Sequence, residues 1–196
     1  KAVSDFCCTS SNAVAVIENV LSHGGQCAIM VPTEVLARQH SATITRLLLN
    51  FHTYIQHGTF RDAGIHAEHL KAMRPPSVAL LTGSVPLSEA KDIRRRLAAG
   101  LLDVVIGTHA LIEDTVQFRD LRLAIVDEQH RFGVAQRQKL KDKGNPHFLA
   151  MTATPIPRTL ALTAYGDHDL SVLLEKPGQR KKIITAILGD NATPKL

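Results

Sequence analysis

Five short apolar runs, each breaking off into small or polar residues, restrict this chain to few architectures. They are QCAIMVPT (26–33), SVALLTGS (77–84), DVVIGT (103–108), LAIVDEQH (123–130) and HFLAMTAT (147–154). Each is apolar almost throughout rather than alternating, the pattern of strands covered on both faces, as in a parallel sheet. Helical patterns separate them: SSNAVAVIENVLSH (10–23), TEVLARQHSATITRLLLN (33–50) and VPLSEAKDIRRRLAAG (85–100). In the last of these, Leu87, Ile93 and Leu97 recur at roughly helical spacing, Pro86 stands early and Gly100 supplies a stop. Strand, helix and strand repeated in this way predict an α/β domain of three layers, with a mostly parallel central sheet and helices on both faces. In such a sheet the ligand crevice lies beyond the strand C-termini.

Composition narrows the classes further. The 196 residues are 44% hydrophobic, which excludes a wholly disordered chain. No uninterrupted apolar run approaches the roughly 20 residues of a membrane-spanning helix, and KAVSDFCCTSSN lacks the basic head and apolar block of a signal peptide. No membrane partner is expected. The first residue is not Met, so the chain is expected to begin inside a longer one. Cys7, Cys8 and Cys27 are too few and too badly spaced for a disulfide framework or a zinc site, and Cys27 reads as a small buried thiol. That usage points to a reducing, cytoplasmic setting.

The net charge of +5 is lopsided: residues 1–70 hold four Lys/Arg against five Asp/Glu, and the remainder nineteen against thirteen. A basic half is compatible with a polyanionic partner, because Lys and Arg displace counterions from phosphates. It is equally compatible with a solvated basic surface. Residues 52–76 read as a solvated excursion, in which His66 and His69 could share a helical face. No further ligand stands at metal-binding spacing, so they read as surface histidines. After Glu175 the stretch KPGQRKK reads as a linker, followed by the isolated apolar run IITAIL (183–188). Ile183, Ile184 and Ile187 are expected to lack cover and to leave this tail frayed or sticky.

Polar residues cluster where the five runs end: Pro32-Thr33-Glu34, Thr82-Gly83-Ser84, Gly107-Thr108-His109, Asp127-Glu128-Gln129-His130 and Thr152-Ala153-Thr154. The acidic pair carries the sharpest chemistry. One carboxylate can hold Mg²⁺ through water while its neighbour polarises an attacking water. Phosphoryl hydrolysis needs both, since its catalysis is mostly charge neutralisation and positioning. An Asp-Glu pair by itself can also be a capped strand end.

In order, PTEVLARQH (32–40), TGS (82–84), GTHALI (107–112), DEQHRFGV (127–134) and TATPIPRT (152–159) resemble the motor motifs of superfamily 2 helicases. DEQHRFGVAQRQKL together with MTATPIPRTLALTAYGDHDLSVL resembles the RecG-type branch-migrating DNA helicases. Transcription-repair coupling translocases share the HRFGV and TATPIPRT stretches, but they usually carry Glu where this chain has Gln129, and they lack YGDHDLSV. The resemblance covers residues 13–188 apart from 52–76. It implies a RecA-like fold, with residues 1–175 forming the first, ATP-binding motor domain. Residues 176–196 would be a linker and the beginning of a second RecA-like domain.

The resemblance also implies roles. Asp127 and Glu128 would hold Mg²⁺ through water, with Glu128 also orienting the hydrolytic water. Gln129 and His130 would sense the γ-phosphate. Thr152, Thr154 and Arg158 would couple hydrolysis to DNA movement. Thr33, Arg38, Gly83 and Thr108 lie where the family touches the sugar-phosphate backbone, contacts that carry no base information. Each threonine could alternatively be a helix N-cap, and Arg38 could simply solvate its helix. Arg131, Arg137, Lys139, Lys141 and Lys143 would lie near DNA or the partner domain, or form an exposed basic helix. ATP and Mg²⁺ are the implied cofactors, and branched DNA, meaning stalled forks and Holliday junctions, is the implied partner.

One departure from the family pattern is large. A motor of this kind opens with a phosphate loop, Gly-x-x-x-x-Gly-Lys-Ser/Thr, whose backbone N–H groups approach the phosphates while its Lys meets their charge. Alignment puts that loop at residues 5–12, DFCCTSSN, with Ser10, Ser11 and Asn12 where Gly-Lys-Thr belongs and Cys8 in place of another Gly. No lysine occurs between Lys1 and Lys71. An interaction of several kcal/mol with the phosphates would be absent, enough to lower ATP affinity by orders of magnitude. Two accounts stay open: a true loop lost upstream, or a loop that has degenerated. The second RecA-like domain and the fork-binding wedge domain of the family would also lie outside this chain, so the piece alone is expected not to unwind DNA. The alternative reading is a non-catalytic relic, at most a weak DNA- or partner-binding module.

Overall fold

Strand runs with no polar face must be covered twice. The computed structural model, which describes residues 13–56 and 74–152, meets that requirement with one five-stranded sheet between two helical layers. The strands are β1 (Gln26–Met30), β2 (Val78–Leu81), β3 (Val104–Gly107), β4 (Leu121–Asp127) and β5 (His147–Met151). Their order is β2-β3-β1-β4-β5, and all four pairings are parallel. Parallel neighbours need crossover connections. The helices are α1 (residues 13–22), α2 (Glu34–Gln56), α3 (Leu87–Ala98) and α4 (Val134–Lys141).

Alternation along β1 sorts the core into two halves. Ala28 and Met30 join Ala90, Ile93 and Leu97 of α3 and Leu140 of α4 on one face. Cys27 and Ile29 join Ile17 and Leu21 of α1 and Ala37, Ile44 and Leu48 of α2 on the other. The predicted three-layer α/β architecture is the one found.

Several boundaries differ from expectation. Strands β1, β2, β3 and β5 stop before the hydroxyl-bearing and charged residues that end their runs, which form the loops of one edge, whereas β4 keeps Asp127 as its last residue. Helix α2 continues to Gln56, past the predicted end at residue 50 and into the segment expected to be a solvated excursion. Leu87 does not belong to the buried stripe of α3. It is 65% exposed, and the stripe runs Ala90, Ile93, Leu97 instead. Residues 1–12, 57–73 and 153–196 lie outside the described residues, and with them fall the readings of Cys7, Cys8, His66, His69 and residues 176–196.

The opposite, N-terminal edge is closed by a satisfied polar group. Gln26 is buried, and its amide donates to the carbonyls of Leu97 (3.0 Å) and Leu102 (2.7 Å). The same side chain accepts the N–H groups of Arg119 (2.8 Å) and Asp120 (3.0 Å). The buried amide of Gln26 is thereby fully paired inside the fold.

Glu18 on α1 is less well placed. Its Oε1 is sealed from water without a hydrogen-bond partner among the described residues, and burial pushes its carboxyl up from 4.5 to about 7. Cys27, wholly buried nearby, has its thiol pushed up by burial and by the negative charges of Asp103 and Glu18. A raised carboxyl costs nothing while it is protonated in both the folded and unfolded chain. Stability should then fall as pH rises from about 4.5 to about 7, where only the unfolded chain ionises freely. Glu18→Gln is expected to stabilise the chain at pH 8 by about 1–2 kcal/mol, a figure discounted for partial exposure. The gain should vanish by pH 4, as thermal melts at the two pH values would report.

Candidate functional site

Register brings the polar ends of the strands together. Met30 of β1 pairs with Gly107 of β3 and Val126 of β4, Leu81 of β2 pairs with Gly107, and Asp127 pairs with Met151 of β5. Consequently Pro32-Thr33, Thr82-Gly83-Ser84, Thr108-His109, Asp127–His130 and Thr152 all emerge on the C-terminal edge of one sheet.

At the β4–β5 end stands the acidic pair. Asp127 is the last residue of β4, with a side chain 15% exposed. Its Oδ1 accepts the Glu128 N–H at 3.0 Å, and its Oδ2 lies 2.9 Å from Nε2 of His40, a buried residue of α2. Glu128 turns the chain sharply, with φ 49° and ψ 50°, a left-handed conformation uncommon for a non-glycine residue. Strain of this sort costs on the order of 1–3 kcal/mol and concentrates at functional sites. Its effect here is to send the Glu128 side chain toward β5. There Thr152 Oγ1 donates to Glu128 Oε2 at 3.1 Å, and His130 Nδ1 lies 3.3 Å from the same oxygen.

Gln129 is buried rather than presented at the surface, and its Oε1 has no hydrogen-bond partner among the described residues. A buried amide oxygen left this way forfeits about 1–3 kcal/mol. The following 3-10 turn (Gln129–Arg131) leads to Phe132, whose buried ring meets His109 edge-on, with centroids 6.3 Å apart. That contact joins the loop after β4 to the loop after β3.

At the β2 end lies a second cluster. Thr33 Oγ1 accepts the Leu36 N–H at 3.3 Å, so the N-cap reading of this threonine holds. A hydroxyl that accepts one bond keeps its proton for another acceptor. Arg38 donates from Nε (3.1 Å) and Nη2 (2.7 Å) to Glu34 Oε1, which also accepts the Ser84 hydroxyl. The Ser84 hydroxyl, then Arg38, hold the Glu34 carboxyl below its usual range. Thr82, nearly buried, pairs its hydroxyl with that of Ser84 at 3.2 Å. A Cβ added at Gly83 would meet nothing within 4 Å, and its φ is not in the left-handed range. Neither packing nor conformation demands glycine there, and the open space suits close approach of a ligand to the backbone. Thr108 is half-buried at the end of β3, and its side chain caps no helix.

Ser10, Ser11 and Asn12, and likewise Thr154 and Arg158, lie outside the described residues. The basic stretch is less exposed than expected. Lys143 Nζ donates to the carbonyls of Glu113 (2.8 Å) and Val116 (2.7 Å), and Lys141 sits 5.1 Å above the Phe148 ring. These two lysines hold structure together, while Arg131 and Lys139 remain exposed. Among the described residues no cluster of His, Cys, Asp and Glu is arranged as a metal-binding group, and no helix is long and apolar enough to cross a membrane.

Magnesium bound through water asks for a partly exposed carboxylate with hard oxygen lone pairs to spare. Asp127 fits: each oxygen takes one internal hydrogen bond, and no Lys or Arg pairs with it among the described residues. His40 is the residue that motif reading missed. It stands on the apolar stripe of α2 with Ala37, Ile44 and Leu48, and a polar side chain on that spacing was the available signal.

A five-stranded parallel sheet covered by helices on both faces, with an acid pair and hydroxyl-bearing loops on its C-terminal edge, is a RecA-like α/β domain. The DEAD/DEAH box helicase family model matches residues 9–163, and the chain belongs to that family. It is similar to the ATP-dependent DNA helicase RecG of Bacillus subtilis, with 47% identity over 178 residues, 90% of this chain and 23% of that protein. RecG of Aquifex aeolicus is 44% identical over 171 residues, 86% of this chain and 19% of that protein. The chain thus spans about a fifth to a quarter of these relatives. Among solved structures, RecG bound to a three-way DNA junction superposes with a TM-score of 0.59 at 38% identity, over 82% of this chain and 18% of that one.

Proposed function

We propose that residues 1–175 are the first motor domain of a RecG-type ATP-dependent DNA helicase, and that residues 176–196 lead into its second. The arrangement of Asp127, Glu128 and Thr152 on one edge, beside the open backbone at Gly83, is the observation that carries this reading. Branched DNA, as at stalled forks and Holliday junctions, is the substrate of this reading, which is supported by the relative solved on a three-way DNA junction.

Each side chain then has a task. Asp127 would hold Mg²⁺ through water, and the ion, when bound, would supply neutralisation of phosphate charge. Glu128, held at Oε2 by Thr152 and His130, orients the attacking water and takes its proton. Gln129 and His130 adjoin the γ-phosphate, and Thr152 passes its state to Thr154 and Arg158. Thr33, Arg38, Gly83 and Thr108 track the sugar-phosphate backbone without reading bases.

Ser10, Ser11 and Asn12 supply hydroxyls and an amide where Gly-Lys-Thr would grip the phosphates, so this chain by itself holds ATP weakly. The test is a graft of this chain into the Bacillus subtilis relative over the matched segment, carrying Ser10→Gly, Ser11→Lys and Asn12→Thr. ATP hydrolysis stimulated by junction DNA is expected within about tenfold of the parent. An inert graft that folds and binds DNA would favour the reading of a non-catalytic relic.

A further inference from the structure

Helix α2 packs on the sheet through Ala37, Ile44 and Leu48, and the remaining position of that stripe is His40, 1% exposed. An aliphatic side chain there would contribute about 1.5–3 kcal/mol by burial, whereas a buried imidazole needs a polar partner merely to break even. The partner is Asp127 Oδ2 at 2.9 Å, 87 residues away in sequence. The other oxygen, Oδ1, is held by the Glu128 N–H at 3.0 Å.

A carboxylate at the last position of a strand would otherwise be able to turn about χ1 and χ2. Here one oxygen is fixed by the chain's own continuation and the other by a side chain from a different layer. The 15% of the Asp127 side chain that stays exposed is what the crevice receives. His40 also shares α2 with Thr33, its N-cap, and with Arg38, two residues earlier. One rigid helix therefore connects the β2-end cluster with the acidic pair.

We propose that His40 is a positioning residue for Asp127: its ring N–H fixes the carboxylate in the rotamer that presents it to a divalent cation. This rests on Asp127 being the metal-facing carboxylate. His40 touches neither cation nor nucleotide. It acts by removing the rotamer freedom that the carboxylate would otherwise lose on binding, as outer partners of metal-holding groups do.

The experiment uses the folded 196-residue chain and Mn²⁺ alone, followed by paramagnetic broadening of the Asp127 and Glu128 amide signals. His40→Leu keeps an apolar side chain of similar bulk and removes the donor, while His40→Gln keeps an N–H donor. The midpoint of broadening is expected to rise about tenfold in His40→Leu and to stay within about twofold of the parent in His40→Gln. An unchanged midpoint in His40→Leu, whatever happens to its melting temperature, would overturn the proposal and leave His40 a structural residue. Absence of broadening at Asp127 in the unsubstituted chain would instead sink the metal reading itself. Should His40→Leu fail to fold, ¹⁵N-labelled histidine in the parent decides. The proposal requires the ring proton on Nε2, and a bare Nε2 facing Asp127 overturns it.

Discussion

Glu128→Gln in the grafted motor is expected to lower kcat for ATP hydrolysis by about a thousandfold. The side chain keeps its shape and its hydrogen bond from Thr152 Oγ1, now accepted by an amide, but it can no longer take a proton. Because Glu128 acts on water rather than on the nucleotide, KM for ATP should change little, which separates loss of chemistry from loss of binding. The left-handed backbone at Glu128 is untouched by the replacement, so the strain that aims the side chain persists. Steady-state hydrolysis with saturating junction DNA is the measurement. A loss smaller than tenfold would mean that the proton goes elsewhere.

Gly107→Ala is expected to destabilise the domain by about 3 kcal/mol or more. A Cβ at this position would lie 2.0 Å from the Leu81 carbonyl oxygen and 3.1 Å from Leu111 Cγ. The first of these neighbours is backbone of the adjacent strand, and Gly107 pairs with Leu81 in the β2–β3 register, so neither partner can swing aside. The strands must separate at the end that delivers Thr82–Ser84 and Thr108 to the crevice. Urea unfolding should show the loss, and DNA binding should weaken together with it. Gly83→Ala provides the contrast, because it meets no atom of the chain within 4 Å and should leave stability within about 0.5 kcal/mol. Any effect of that substitution must come through a ligand.

Much of this was legible in the residues. Runs such as CAIMV and VVIG lack a polar alternate, and only a sheet covered on both faces accommodates them. The site edge was legible for the same reason: in a parallel sheet all C-termini point one way, so Thr33, Gly83, Thr108, Asp127 and Thr152 had to share a rim. The misses have local causes. Leu87 sits at the first position of α3, beyond the reach of the sheet, so helical spacing alone placed it wrongly in the stripe. The extension of α2 to Gln56 follows from a run of helix-compatible residues with no Gly or Pro between Thr33 and Gln56. His40 and the Lys143 bonds to two carbonyls depend on contacts tens of residues apart, which no periodicity reports.

A magnesium nucleotide should meet this sheet at its C-terminal rim. The direct measurement is an ATP titration, with and without Mg²⁺, of the chain carrying Ser10→Gly, Ser11→Lys and Asn12→Thr, followed by backbone amide shifts. Mg²⁺-dependent shifts should gather at Asp127–His130 and Thr152, at the C-terminal rim. Shifts at Gln26, Asp103 and Asp120 on the opposite rim, or a rim that stays silent at millimolar Mg²⁺–ATP, would contradict it.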